Sequence, residues 1–242
     1  MPPNPSEAIL DPSEFASSRE LLIPGYLEQV YWWAYVHPNA VRLFERKWLV
    51  NAILFGNYGR LRDAALDELG ATIEGRTLQV ACVYGNLTAR LRERMAPAAL
   101  LDVVDILPVQ LENLRTKLPV DGRVALLQGD ASALASADAR YDRVLLFFLL
   151  HEMPKNVRRA TLGEAMRVLK PGGKLVIVDY HRPARLHPLR LLMSQVFRHL
   201  EPYAIDLWNH EIAHFIPVGS KPASTVQRTF FGGLYQKLVL TR

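Results

Sequence analysis

Between residues 77 and 180 the chain alternates short apolar runs with longer segments of helical period. Residues 77–82, 100–105, 123–127 and 142–148, and a fifth run from Leu175 to Asp179, are almost continuously apolar. Strands of that kind belong to a parallel sheet covered on both faces. The segments between them carry helix signals. Asn86 is a competent N-cap ahead of Leu87, Leu91 and Met95, and Pro108 suits a first helical turn. Leu162, Ala165, Met166 and Leu169 line one face of residues 155–169, which Pro171-Gly172-Gly173 should stop. Strand and helix in alternation predict an α/β doubly wound sheet.

Two further segments frame this core. Residues 181–217 form an insertion in which Leu186, Leu189, Leu192, Val196, Phe197 and Leu200 mark a helix face, with Arg185, Arg190 and Arg198 between them. The tail, Thr225–Phe231, Gly232-Gly233 and Leu234–Leu240, reads as a terminal antiparallel hairpin. Upstream, residues 1–19 are rich in proline, serine and acid and are expected to be mobile. Residues 20–70 read as a helical aromatic cap. Tyr26, Tyr31, Trp32, Trp33 and Tyr35 precede His37-Pro38, and Val41, Phe44, Trp48, Ala52 and Phe55 follow at helical spacing. Aromatics at this density pack a core or cover an apolar substrate. The third division, residues 71–242, is the α/β domain.

Composition narrows the partners. Half of the 242 residues are hydrophobic, enough for a sizeable core. The net charge of +5 is scattered, without the clustered basic stripe of a nucleic-acid module, and suits contact with an anionic membrane surface. The single cysteine, Cys82, allows no disulfide within the chain and favours a reducing cytoplasm. Neither a signal peptide nor a membrane span is visible.

Candidate chemistry gathers at the strand ends, where a doubly wound sheet binds its ligands. Asp105 closes the second strand about twenty residues past Gly85, the spacing of a carboxylate that accepts ribose hydroxyls. Asp130, in Gly129-Asp130-Ala131, stands at the next strand end, placed to reach an adenine amine. The loop Val80-Ala81-Cys82-Val83-Tyr84-Gly85 keeps only one glycine. A pyrophosphate-binding loop needs several, because the backbone must approach the phosphates, so a nicotinamide dinucleotide does not fit. His210-Glu211-Ile212-Ala213-His214 matches the zinc-hydrolase pattern H-E-x-x-H, but the third ligand that pattern needs is missing downstream.

The order of these signals resembles the class I S-adenosylmethionine (AdoMet) methyltransferases, with Gln79 where most relatives carry an acid on the first strand. AdoMet carries no phosphate, so it tolerates the bulkier loop. The resemblance implies a mostly parallel class I sheet with a C-terminal antiparallel hairpin and an N-terminal helical segment. It also implies a cofactor site of Val80, Ala81, Cys82, Gly85, Asp105, Ile106, Gly129, Asp130, Ala131 and Phe147. Adding Pro24–Tyr35 and Asp206-Leu207-Trp208-Asn209-His210-Glu211, the chain is similar over nearly its whole length to the rhodoquinone biosynthesis proteins of the RquA type. That likeness implies ubiquinone as substrate, replacement of its methoxy group by an amino group from AdoMet, and assistance by manganese. It also implies a cytoplasmic protein, peripheral at the inner face of the membrane.

On that reading Asp179, His151 and Glu152 are candidate ligands for Mn²⁺, a hard cation suited to carboxylate and imidazole. Tyr180 and His181 are candidates to orient a quinone carbonyl or move a proton. Gln79 and Tyr84 are expected to present the AdoMet amine uncharged, since a neutral amide does not favour the ammonium form. Two alternatives stay open: methyl transfer to a quinone or other apolar aromatic, and a non-catalytic binding protein on the same frame. Oligomeric state is not set by these patterns.

Overall fold

The computed structural model describes residues 23–30 and 46–242. Among them, Gly25–Val30 (α1), Lys47–Ile53 (α2) and Tyr58–Leu69 (α3) precede the sheet. Then follow β1 (Arg76–Val80), α4 (Leu87–Glu93), β2 (Leu100–Asp105), α5 (Pro108–Arg115) and β3 (Val124–Gln128). Next come β4 (Tyr141–Phe147), α6 (Lys155–Val168) and β5 (Leu169–Tyr180). The insertion carries α7 (Arg190–His199) and α8 (Ile205–Asn209), and β6 (Ser224–Phe230) and β7 (Tyr235–Thr241) close the chain. The strands form one seven-stranded sheet in the order β3-β2-β1-β4-β5-β7-β6. The first five are parallel, and β7 pairs antiparallel with both β5 and β6. The expected doubly wound sheet with its terminal hairpin is present.

Along the central strands successive buried side chains enter two different cores. Leu145 and Phe147 of β4, with Val176 and Val178 of β5, face one core together with Leu61, Leu66, Leu87 and Leu91. Val144, Leu146, Leu175 and Ile177 face the other core, against Leu162, Ala165 and Met166 of α6. The two-residue period therefore sends every second side chain to each layer, which is why the strands read as unbroken apolar runs.

Several local expectations are corrected. The face Trp48, Ala52, Phe55 does not pack as one: Trp48 is 62% exposed, α2 stops at Ile53, and only Phe55 reaches the core. Phe55 and Gly56 both take positive φ, and Gly56 N–H donates to Asn51 O at 2.7 Å, a left-handed helix stop. Val41, Phe44 and the aromatics Tyr31–Tyr35 lie outside the described residues. Asn86 precedes α4 but makes no capping bond, because Arg62 Nη1 donates to its Oδ1 at 2.8 Å. Pro171-Gly172-Gly173 does not separate α6 from the strand. β5 starts at Leu169, and the Pro-Gly-Gly loops out between the Tyr141–Leu169 and Arg143–Lys174 pairs.

Arg158 of α6 is completely buried and clamps three segments. Its Nε donates to Leu150 O (2.8 Å), and Nη2 donates to Met153 O (2.9 Å) and Tyr203 O (2.8 Å). The guanidinium also stacks 4.6 Å from the Phe215 ring centroid. Removing the fork orphans three buried acceptors, and lysine cannot reproduce its geometry. Arg158→Ala is expected to cost about 3 kcal/mol or more, with Arg158→Lys recovering little. Urea unfolding midpoints of both variants check this.

Candidate active site

The sheet order reverses between β1 and β4, and the crevice there opens into a cavity of 610 Å³. Sites for small molecules run from about 300 to 1,000 Å³. Three non-glycine residues in left-handed conformation line it: Phe55 after α2 (φ 49°), Ala81 after β1 (φ 70°) and Phe148 after β4 (φ 53°). Such strain costs on the order of 1–3 kcal/mol per residue and persists only where the surroundings enforce it. Gly85 also has positive φ (87°), and a Cβ there would come within 2.7 Å of Tyr58 Oη, so glycine is required.

One end of the cavity is built from the tips of β1, β2 and β3. Asp105 is 8% exposed, and both its oxygens are engaged: Cys82 N–H donates to Oδ2 (2.6 Å) and Leu107 N–H to Oδ1 (2.9 Å). Burial pushes its carboxyl up to about 6, against the opposing pull of those amides. Asp130 accepts Ser132 N–H (2.7 Å) and Ser132 Oγ–H (2.8 Å) on Oδ1. Its Oδ2 has no partner among the described residues. Tyr84 Oη accepts Gln110 Nε2–H at 2.8 Å. Ala81, Cys82, Ile106, Gly129, Ala131 and Phe147 also line this cavity.

The other end lies beyond β4 and β5 and is mostly apolar, with Phe148, Leu149, Met153, Met193, Val196 and Leu200 in its wall. Deep within it, His151 Nδ1 pairs with Asp179 Oδ1 at 2.9 Å. Its Nε2 stands 3.8 Å from both Glu152 Oε1 and Glu201 Oε2. Burial opposes charge on the ring, but Asp179, then Glu201 and Glu152, outweigh it and hold the imidazole up at about 9. Tyr180 lines the same end, its ring 4.9 Å from that of His151, and its hydroxyl makes no hydrogen bond with the described residues. Burial and then the Glu201 charge raise that phenol well above its ordinary value. Tyr26 of α1 packs edge-on to Tyr203 and also faces the cavity, its phenol raised by burial and by Glu152.

Some expected residues stand elsewhere. Gln79 is fully buried and away from the cavity: its Nε2 donates to Ala81 O (3.0 Å), and its Oε1 accepts Thr88 Oγ1–H (3.0 Å). It ties β1 to α4 and is not positioned to touch a ligand amine. Val80, 1% exposed, packs into the α6-side core, and Gly85 serves the fit to Tyr58. His181 follows β5 onto the far side, where Nδ1 hydrogen-bonds Gly233 O at 2.8 Å and the ring lines a second cavity. His151, Glu152 and Asp179 do come together, but not as a metal centre. Asp179 Oδ2 accepts Leu150 N–H (2.9 Å) and His151 N–H (3.3 Å), and Oδ1 accepts Tyr180 N–H (2.7 Å) besides the imidazole. Both of its oxygens are thus occupied. Among the described residues, no group of three or more His, Cys, Asp or Glu side chains could hold a metal ion. The residues proposed for manganese do not fit it. In the H-E-x-x-H segment, Ile212–Phe215 is a 3₁₀ turn, and the His210 and His214 rings stack 4.7 Å apart.

Glu201 and Phe148 went unnoticed in the sequence. Glu201 follows a basic and apolar helix, and its approach to His151 is a contact no local spacing encodes. The left-handed Phe148 gives no signal, being one apolar residue within a run of them.

Residues 77–173 match the methyltransferase domain family. The chain is 30% identical over 153 residues to the ubiquinone/menaquinone biosynthesis C-methyltransferase UbiE of Pseudomonas fluorescens, covering 62% of this chain and 57% of that protein. It thus spans little more than half the length of that relative. The UbiE of Syntrophotalea carbinolica is 29% identical, covering 81% of each chain. Among solved structures, a phosphoethanolamine N-methyltransferase 2 of Haemonchus contortus, in complex with phosphomonomethylethanolamine and S-adenosylhomocysteine, superposes with a TM-score of 0.64. It shares 14% identity, and the match covers 90% of this chain and 59% of that one. The fold is that of the class I methyltransferases.

The His151 cluster generates a pH prediction. Its folded pKa of about 9 lies above the ordinary 6.5. The stability it contributes is therefore fully present below about pH 6.5 and lost as pH rises through about 9. Melting temperature should fall between pH 7 and pH 9.5 in the parent and change less in His151→Gln. Thermal melts across that range check it.

Proposed function

We propose that this chain, a member of the class I AdoMet-dependent methyltransferase superfamily, is an AdoMet-dependent transferase acting on the ring of a quinone. The observation that carries this reading is one continuous cavity with two unlike ends: a pair of carboxylates at Asp105 and Asp130, and an apolar chamber floored by Tyr180 and His151. In the finer reading, which the RquA-type resemblance supplies, the quinone is ubiquinone and an amino group replaces its methoxy group to give rhodoquinone.

The residues fit AdoMet. Each oxygen of Asp105 already accepts one backbone amide and retains a lone pair for a ribose hydroxyl. Asp130 Oδ2 is available to accept an adenine amine. Ala81, Val83 and Tyr84 would obstruct a pyrophosphate but not a ligand without one. When bound, AdoMet supplies its sulfonium methyl group or, in the finer reading, its amino group. At the apolar end Tyr180 Oη donates to a quinone carbonyl. His151, cationic at neutral pH, stabilises negative charge that builds on the ring. A cation at that pH is not a general base. Met193, Val196 and Leu200 exclude water from the ring.

Methyl transfer to a quinone is the second reading, favoured by the likeness to the UbiE C-methyltransferases. The decisive experiment supplies ubiquinone with AdoMet labelled separately at the amine nitrogen and the methyl carbon, with and without manganese. Amine label in the quinone product is the expected result. Methyl label there instead establishes the second reading, and no binding of AdoMet refutes both.

Asp105→Asn should weaken AdoMet binding by about tenfold or more, since a hydrogen bond to a charged group contributes about 1.5–3 kcal/mol. In the parent, affinity should decline as pH falls through about 6, where the carboxyl takes up its proton. The asparagine variant should show no such decline. Calorimetric titration between pH 5 and pH 8 reads both.

A further inference from the structure

Beside β5 and the insertion lies a second cavity, of 470 Å³, lined by His181, Arg182, Arg185, Arg190, Trp208 and His210, among others. Glu211 is the one acid in its lining, and it is occupied. Its Oε2 accepts Gln227 Nε2–H at 2.9 Å, and its Oε1 stands 3.5 Å from His181 Nε2. Arg182 and Arg185 are exposed and make neither ion pair nor hydrogen bond among the described residues. Arg190 donates one Nη1 to Pro183 O at 3.0 Å and meets no carboxylate. Three arginines therefore line one cleft without an unoccupied carboxylate among the described residues.

The same stretch exposes leucines where a soluble helix would carry polar residues. Leu186 is 97% exposed and Leu191 81%, and Leu192 is half exposed. Of the predicted helix face, Leu186 and Leu192 are exposed while Phe197 is buried (0%), and Met193 (3%), which that face did not include, is buried as well. Helix α7 is thus apolar on two sides. Its inner side walls the active-site cavity through Met193 and Val196, and Leu200 just past its end does the same. Leu200, itself 47% exposed, and Ile53 of α2, 43% exposed, both line that cavity and also reach solvent.

We propose that this face seats the protein on an anionic phospholipid bilayer. The Arg182–Arg185–Arg190 cleft takes lipid phosphate, and Leu186 and Leu191 enter the acyl layer beside it. Unpaired arginines next to exposed leucines are complementary to a charged headgroup above hydrocarbon, as in interfacial helices. Neither a free anion nor an uncharged apolar partner uses both halves of the surface. The seat brings the apolar rim of the cavity to the layer in which an apolar ring substrate dissolves.

Co-sedimentation of the full chain with vesicles tests this independently of turnover. The parent should bind phosphatidylcholine vesicles containing phosphatidylglycerol, and bind pure phosphatidylcholine weakly. Each arginine near the surface is worth roughly fivefold in partitioning. Arg182→Gln with Arg185→Gln should therefore lower binding by about 25-fold. Leu186→Ser with Leu191→Ser should also lower it, with the melting temperature unchanged in both variants. Equal binding by the parent and the arginine variant overturns the proposal. So does loss of binding in the arginine variant without loss in the leucine variant, together with competition by inorganic phosphate, which marks a free-anion site. A dimer seen by light scattering that the serine variant dissociates assigns the leucines to a second copy and overturns it as well.

Discussion

The Asp179 carboxylate, wholly buried at the end of β5, is the group on which the apolar half of the site depends. It accepts Leu150 N–H and His151 N–H on one oxygen, and Tyr180 N–H and the His151 imidazole on the other. An unpaired carboxylate in that position would cost several kcal/mol. Four donors from two adjacent strand ends offset the cost only if the turn after β4 folds back onto β5. The constraint therefore sets where Leu150–Glu152 runs, how the imidazole is oriented, and why it holds its proton. Arg158 completes the anchoring from the opposite side by binding the Leu150 and Met153 carbonyls that flank the same turn.

With that turn fixed, the chemistry of the chamber follows. His151 lies among Asp179, Glu152 and Glu201, and the balance of burial against three carboxylates leaves the imidazolium as the stable form near neutral pH. Tyr180 gains a phenol that burial and a nearby carboxylate keep protonated. Both groups are then donors facing an apolar space, an arrangement suited to the carbonyl oxygens of a neutral ring. At the other end, Asp105 and Asp130 are acceptors. The two ends differ in sign and in polarity, so a ligand with a sugar hydroxyl end and a partner with a carbonyl-bearing apolar ring settle in opposite halves.

The insertion between β5 and β6 serves both the inside and the outside of the molecule. Inward, it delivers Glu201 to His151 and closes the chamber with Met193 and Val196. Outward, among the described residues, it leaves arginines without acids and leucines without cover. The Arg158 contact to Tyr203 O ties this segment to the turn after β4, so both sides of the insertion are held relative to the cavity.

Much of the frame was legible because it rests on local rules. A strand buried on both faces is apolar at most positions, and β2 and β4, apolar at four of six and five of seven, announce themselves in that way. Asp105 and Asp130 could be placed at the cavity from sequence because a strand end fixes the position of the residue that closes or follows it. The same rules failed where a side chain had to choose between partners. Gln79 reads as a cofactor residue, yet the strand's alternation turns it toward Thr88. Asn86 reads as a cap, yet Arg62, from a helix the local pattern does not mention, takes its oxygen. His181 is adjacent to Tyr180 in sequence and points to the other side of the sheet. Asp179 and His151 were both picked out as chemically active, but only their approach across 28 positions shows that each satisfies the other, leaving Asp179 no free valence for a metal. Spacing along a chain encodes which face a residue takes. Which buried charges end up compensating one another is decided by desolvation, and that acts only once distant segments have packed together.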